Sequence, residues 1–245
     1  MAGLLNSYKL AAAVAGLVYV GGHTFDQSSQ GAGNATLSLS GVLTGGIASS
    51  PQAGDFCIIS YSQAGTADRT NRAISNAVGA FTSLMTQYVN ATNDTSITIK
   101  YKFLESPIDY NIIIGTPSST GNGVSVLVEV FRGVNTTTPF DVAHVIASAT
   151  TTGRPNPASI TPITAGALIG VFGAGSWGAS ISSALTSSDF DLFTSTPFSA
   201  AQRSHANAFG LKAWSSGAFD AAQFGGGNAG GTDTSISVAF ALRPA

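Results

Sequence analysis

Strict two-residue alternation of apolar and polar side chains constrains this chain more than any other feature. Between Thr95 and Phe103, Ile97, Ile99, Tyr101 and Phe103 alternate with Ser96, Thr98, Lys100 and Lys102. Val124–Phe131 places Val124, Val126, Val128 and Val130 on one face, and Ser235–Leu242 places Ile236, Val238, Phe240 and Leu242 on one face. Successive side chains of a strand point to opposite faces, so each stretch reads as β-strand. Ala35–Ser40 and Phe81–Val89 are further strands, Asp55–Tyr61 and Ala167–Phe172 read as buried strands, and Val18–Val20 begins the first. Beyond the N-terminal segment, helical periodicity is confined to residues 70–80 and, more weakly, 178–187. Many strands joined by Gly/Ser/Asn/Thr-rich turns predict an all-β fold, an antiparallel β-sandwich of jelly-roll type. No internal repeat and no linker stands out, so residues 17–245 read as one sandwich domain.

Residues 1–16 read as a short N-terminal helix or arm, with Leu4, Tyr8, Ala11 and Ala15 at helical spacing. Such an arm docks either on a partner or on its own sheet, which makes Leu4 and Tyr8 candidate contact residues. The apolar stretch 10–20 has the length of a signal-peptide core, but only Lys9 precedes it as positive charge and no Ala-x-Ala step follows. It is also shorter than the roughly 20 residues a membrane-spanning helix needs.

Charge is scarce: 245 residues carry 10 Lys+Arg and 12 Asp+Glu, 9% charged in all, with net charge −2. Scattered cations argue against nucleic acid as a partner, because that binding depends on clustered Lys and Arg. Cys57 lies in an apolar run and reads as a small core residue. His23, His144 and His205 show no metal-ligand spacing and read as structural. No cofactor is called for: Gly225–Gly231 lacks the lysine and following helix of a phosphate loop.

One string has the look of a nucleophile. Ala174-Gly175-Ser176-Trp177-Gly178 is a variant of the elbow Gly-x-Ser-x-Gly, and Asp189 or Asp191 and then His205 follow in the chain order of a hydrolase triad. The short stretch from Ser176 to His205 leaves no room for the βα units that usually hold such a triad, so a serine hydrolase stays a remote alternative. Asp189 and Asp191, or Glu105 and Asp109, would otherwise be solvated turns or oxygen ligands for Ca²⁺. Glu129 lies opposite the four valines of its strand, and a cross-strand ion pair with Lys100 or Lys102 is expected if those strands are neighbours.

The order of several short strings resembles a structural module of tailed-bacteriophage and prophage virion proteins with a jelly-roll or concanavalin-like fold. The matching pieces are Val18-Tyr19-Val20-Gly21, Gln52-Ala53-Gly54-Asp55-Phe56, Ile97-Thr98-Ile99-Lys100-Tyr101-Lys102, Val126–Val134, Pro139-Phe140-Asp141-Val142 and the closing Ala241-Leu242-Arg243-Pro244. The family's Gly-Trp-Thr step is absent; Ala80-Phe81-Thr82 stands near that place. The resemblance covers most of residues 17–245. It implies a non-enzymatic virion component, either a head decoration or part of the tail or fibre, oligomeric and packed against other virion proteins. It carries no catalytic residues. The alternative is a carbohydrate-binding, adhesin-type sandwich that meets a host-surface glycan through aromatic rings in loop-like sequence, namely Trp177, Trp214 and Phe224.

Overall fold

The computed structural model describes residues 16–27, 34–115, 124–178, 183–198, 204–227 and 233–245. The first eight strands are β1 (Val18–Gln27), β2 (Ala35–Ser38), β3 (Phe56–Gly65), β4 (Ile74–Ser75), β5 (Thr82–Val89), β6 (Asp94–Phe103), β7 (Asn111–Ile114) and β8 (Val124–Arg132). Then come β9 (Val145–Ala149), β10 (Leu168–Trp177), β11 (Leu185–Thr186), β12 (Leu192–Phe198), β13 (Ser204–Ala213), β14 (Gly225–Gly226) and β15 (Thr234–Leu242). Every pairing is antiparallel, and no helix occurs among the described residues. The all-β sandwich expected from the alternation is therefore present.

Two large sheets make the sandwich: β1-β8-β3-β6-β5 and β12-β13-β10-β15-β9. If β9, β10, β12, β13 and β15 take the places of β1, β3, β5, β6 and β8, the two strand orders become identical. The registers agree as well. Phe56 of β3 opposes both Phe103 and Phe131; Leu168 of β10 opposes both Ala213 and Leu242. Three residues before those partners, Val128 opposes His23 and Ala239 opposes Val145. The covering segments repeat too: Ile74 pairs with Ile114 as Thr186 pairs with Gly225, and Leu39 bonds to Tyr110 as Ile160 bonds to Phe219. In the first half, β1-β8-β3-β6 opposite β2-β7-β4 follows jelly-roll order, with β5 joined to the larger sheet. The chain is thus a tandem pair of small jelly rolls, an internal repeat that the sequence did not reveal.

The halves pack through their large sheets as a twofold pair would. β8 meets β13 as β15 meets β6; β3 meets β13 as β10 meets β6; β8 meets β12 as β15 meets β5. This reciprocity is the mark of a self-complementary interface, here enclosed within one chain. Its centre is aromatic: Phe172 lies 5.0 Å from Phe209 and 5.7 Å from Phe240, and Phe131 lies 6.4 Å from Phe209. Further along the strands the inward residues turn polar. The Asn207 amide donates to Ser60 O at 3.2 Å, and the Thr95 and Thr234 hydroxyls meet at 2.7 Å. The outer face of each large sheet is covered by its own half, with Val126, Val128 and Val130 under Leu37, Ile112 and Ile114 on one side. Ile169 and Val171 lie under Ile160, Leu185 and Phe224 on the other.

Three expectations need correction. Residues 70–80 are turns flanking β4, not helix, because the Asn76 amide donates to Asp109 O at 2.6 Å and Asp109 Oδ2 accepts the Ala77 amide at 2.7 Å. Asn76 Oδ1 also accepts the Val78 amide at 2.9 Å, and a side chain that bonds nearby backbone in this way competes with the helix. In the 178–187 stretch, residues 179–182 lie outside the described residues and Leu185–Thr186 is strand. Glu129 pairs with neither lysine: it faces the second sheet, whereas Lys102 turns to the opposite face, donates to Val78 O and sits 5.6 Å from the centre of the Phe81 ring. The N-terminal helix or arm, with Leu4 and Tyr8, lies outside the described residues.

Each large sheet has an apolar inner face that only the other half covers. Either half expressed alone, cut between Thr136 and Thr137, is expected to be insoluble, and the two coexpressed halves to copurify as one folded pair on size exclusion. Within that interface, Phe172→Ala is expected to cost about 3–5 kcal/mol in urea unfolding.

Candidate functional site

Ser176 and His205, the nucleophile and base of the hydrolase reading, are direct cross-strand partners on β10 and β13. Their setting suits neither role. Ser176 is fully buried and His205 is 1% exposed, between the sheets. Burial with loss of hydration pushes the His205 imidazole down to about 3, far from a useful base near neutrality. The acids lie elsewhere: Asp189 Oδ2 accepts the Ala222 amide at 2.8 Å, and Asp191 pairs with Lys212 at 2.8 Å.

The aromatic candidates divide. Trp177 ends strand β10 rather than standing in a loop and is 1% exposed; a Cβ on Gly153 or Gly227 would strike its ring. Phe224 is equally buried, edge-on to Phe190 and Phe193. Neither ring is available to a ligand in this conformation. Trp214 is partly exposed, with its Nε1 donating to Gly217 O at 2.8 Å.

The scarce charges are largely committed to the fold. Arg132 grips Asp55 with two bonds of 2.8 and 2.9 Å. Asp141 takes Arg243 Nε at 3.1 Å and the Ile163 and Thr164 amides at 2.6 and 3.0 Å, and these bonds hold its carboxyl below the ordinary range despite burial.

Glu129 is different. Tyr19 of β1 donates its hydroxyl to Glu129 Oε2 at 2.6 Å, while Oε1 is buried without a hydrogen-bond partner. Loss of hydration pushes the carboxyl up to about 8, against the smaller opposing effect of the Tyr19 bond, and pushes the Tyr19 hydroxyl well above its ordinary value. The pair lies beside Gly22, directly opposite Glu129 in register, where a Cβ would come within 2.3 Å of Oε2 and 2.5 Å of the tyrosine oxygen. Glycine at this position makes room for the pair.

Tyr19, Gly22 and Glu129 line a cavity of about 520 Å³ between the sheets, shared with His23, Thr24 and Thr44. Thr194, Leu192 and Phe193 of β12 flank it from the second half, and it opens to solvent. At the position equivalent to Glu129 the second half carries Phe240, packed against Gly170. The repeated fold therefore accepts an apolar ring at this place and does not require a carboxyl. The sequence held one clue. Both faces of β8 are apolar, with Leu127 and Phe131 flanking Glu129 opposite the valines, so a strand covered on both faces would bury the glutamate.

No protein-family model, curated protein or solved structure matches the chain.

Ser176 is expected to remain unlabelled by a fluorophosphonate probe, read by intact mass. The pH dependence of stability is expected to be unusual. Between about 4.5 and 8 the unfolded chain ionises Glu129 while the folded one keeps it protonated, so this group lowers stability as pH rises through that interval. His205 acts oppositely between about 3 and 6.5, where the unfolded chain gains a proton that the folded one refuses. Glu129→Gln should remove the first effect. Relative to wild type, its stability should climb with a slope of up to about 1.4 kcal/mol per pH unit from pH 5 to 8, measured by urea unfolding at each pH.

Proposed function

We propose that the protein is a non-enzymatic structural component of a tailed-phage virion, acting through packing against neighbouring subunits. The observation that supports this most directly is the edge strand β9. Large-sheet edges are usually protected against pairing with another chain. Here β1 is covered by the 42–48 segment, through reciprocal Gly22 and Thr44 bonds and the Ala48 amide on Val20 O. An irregularity between Ser83 and Met85 bends β5, and Pro197 interrupts β12. Among the described residues no such device protects β9: Val145-Ile146-Ala147-Ser148-Ala149 is uncharged, lies at the end of its sheet and exposes Ile146. A subunit that adds a strand there gains backbone bonds without desolvating a charge.

The fold adds weaker support, since jelly rolls recur among capsid proteins and lectins alike. The commitment of charge to internal pairs leaves a Ser/Thr/Asn-rich exterior, so attachment through it should depend little on salt. The glycan-binding alternative now rests on Trp214 alone among its three aromatic residues.

In purified particles the protein is expected to stay bound in molar salt and to leave only with denaturant. Ile146→Lys, which places a charge on the open edge, is expected to abolish incorporation or self-association while leaving the melting temperature unchanged. Release at moderate salt, or full incorporation of the lysine variant, would overturn the proposal.

A further inference from the structure

The cavity at Tyr19 and Glu129 has the attributes of a binding site rather than a packing defect. Its buried carboxyl has one oxygen held by Tyr19 and the other without a partner. Gly22 leaves the space in which that pair sits. The corresponding position of the sister half is filled by Phe240, so the carboxyl is a departure from the fold's own solution.

We propose that this cavity binds a small organic ammonium ion, with Glu129 as its counter-charge. The lining chooses among ligand classes. It contains no lysine or arginine, so phosphates and carboxylates would find no cationic partner there. Metal ions want several anionic or imidazole ligands, and no cluster of three such groups occurs among the described residues. Neutral sugars want an aromatic platform, yet the Tyr19 ring is 5% exposed and packed 5.4 Å from Phe131, and the Phe193 ring packs against Phe190 and Phe224. An ammonium group with a short alkyl chain uses what is present. The carboxyl meets its charge, the hydroxyls of Thr24, Thr44 and Thr194 offer acceptors, and Val42 and Leu192 take the chain.

Binding should be coupled to a proton. Near pH 7 most of the Glu129 carboxyl is protonated, so an ammonium ion that draws it into the ionised form releases that proton to solvent. The titratable neighbours are Tyr19 and His23 on β1 and Cys57 on β3, all of which stay neutral at that pH, because burial raises the first and third and lowers the second.

The test is a titration of the full chain with ethylammonium chloride at constant ionic strength, following the Tyr19 ring by NMR. Calorimetry in two buffers of different ionisation enthalpy runs beside it. The expected result is a saturable shift of the Tyr19 signals and release of close to one proton per ligand at pH 7. Glu129→Gln keeps the side-chain shape and should weaken binding at least tenfold. The wild-type proton count stands even if that variant folds poorly. Absence of a saturable shift, or equal binding by the glutamine variant, would overturn the inference. So would a saturable response to glycerol that survives in the variant, which would make the cavity a neutral-polyol site. None of these readouts depends on where the protein resides.

Discussion

Everything in this molecule depends on two five-stranded sheets hiding one face each against the other. Neither half can cover its own large sheet on both sides. The small cover sheet of the first half protects only the valine face of β8, and the matching cover of the second half protects only the outer face of β10. The remaining faces, rich in phenylalanine, meet each other. Burying a phenylalanine is worth on the order of 1.5–3 kcal/mol, and Phe56, Phe131, Phe172, Phe209 and Phe240 are all sealed within this one layer. The twofold arrangement follows from using the same strand order twice: two similar faces pack most simply as a self-complementary pair.

Duplication also explains why this layer varies so much in chemistry. Equivalent inward positions hold Ser60 and Phe172, Ile97 and Asn207, Thr95 and His205, Glu129 and Phe240. The twofold relation exchanges the polar Ser60–Asn207 contact for an apolar pairing of Phe172 with Ile97 in the same core. Buried polar groups of this kind are tolerable only when they find partners. Asn207 bonds to Ser60, and Ser125 meets Thr196, which in turn donates to Asp26 at 3.1 Å. Glu129 is only half satisfied: one oxygen accepts the Tyr19 hydroxyl, and the other lies buried without a partner beside the cavity.

The scarcity of charge has a related logic. Arg132 with Asp55 and Arg243 with Asp141 sit at the C-terminal ends of β8 and β15, the equivalent closing strands of the two halves. They tie down the corners where the chain leaves each large sheet. Beside them the C-terminus returns to the middle of the chain, with the Ala245 amide on Gly133 O and the Asn135 amide on Arg243 O. The Arg243–Asp141 pair therefore joins the start of the second half to its end, and the Arg132–Asp55 pair ties the end of β8 to the approach to β3 within the first half.

Much of this fold was legible in the sequence. The alternation in β6, β8 and β15 required strands, because only a two-residue period puts every apolar side chain of those stretches on one side. The apolar runs around Cys57 and Val171 required strands covered on both faces. Strand β13 carries little strand signal because, apart from Phe209 and Leu211, the apolar positions of Ser204–Ala213 are alanine and glycine, which have low strand preference; its place is decided by β10 and β12 pairing on either side of it. The repeat also lay beyond the sequence, because backbone pairing preserves strand order and register while side chains at equivalent positions diverge. Tertiary structure alone decided that Ser176 meets His205 in a dry interior, that Trp177 and Phe224 are core, and that Tyr19 reaches Glu129. Each of those contacts joins residues far apart in the chain, and local pattern carries no record of what lies across a sheet interface.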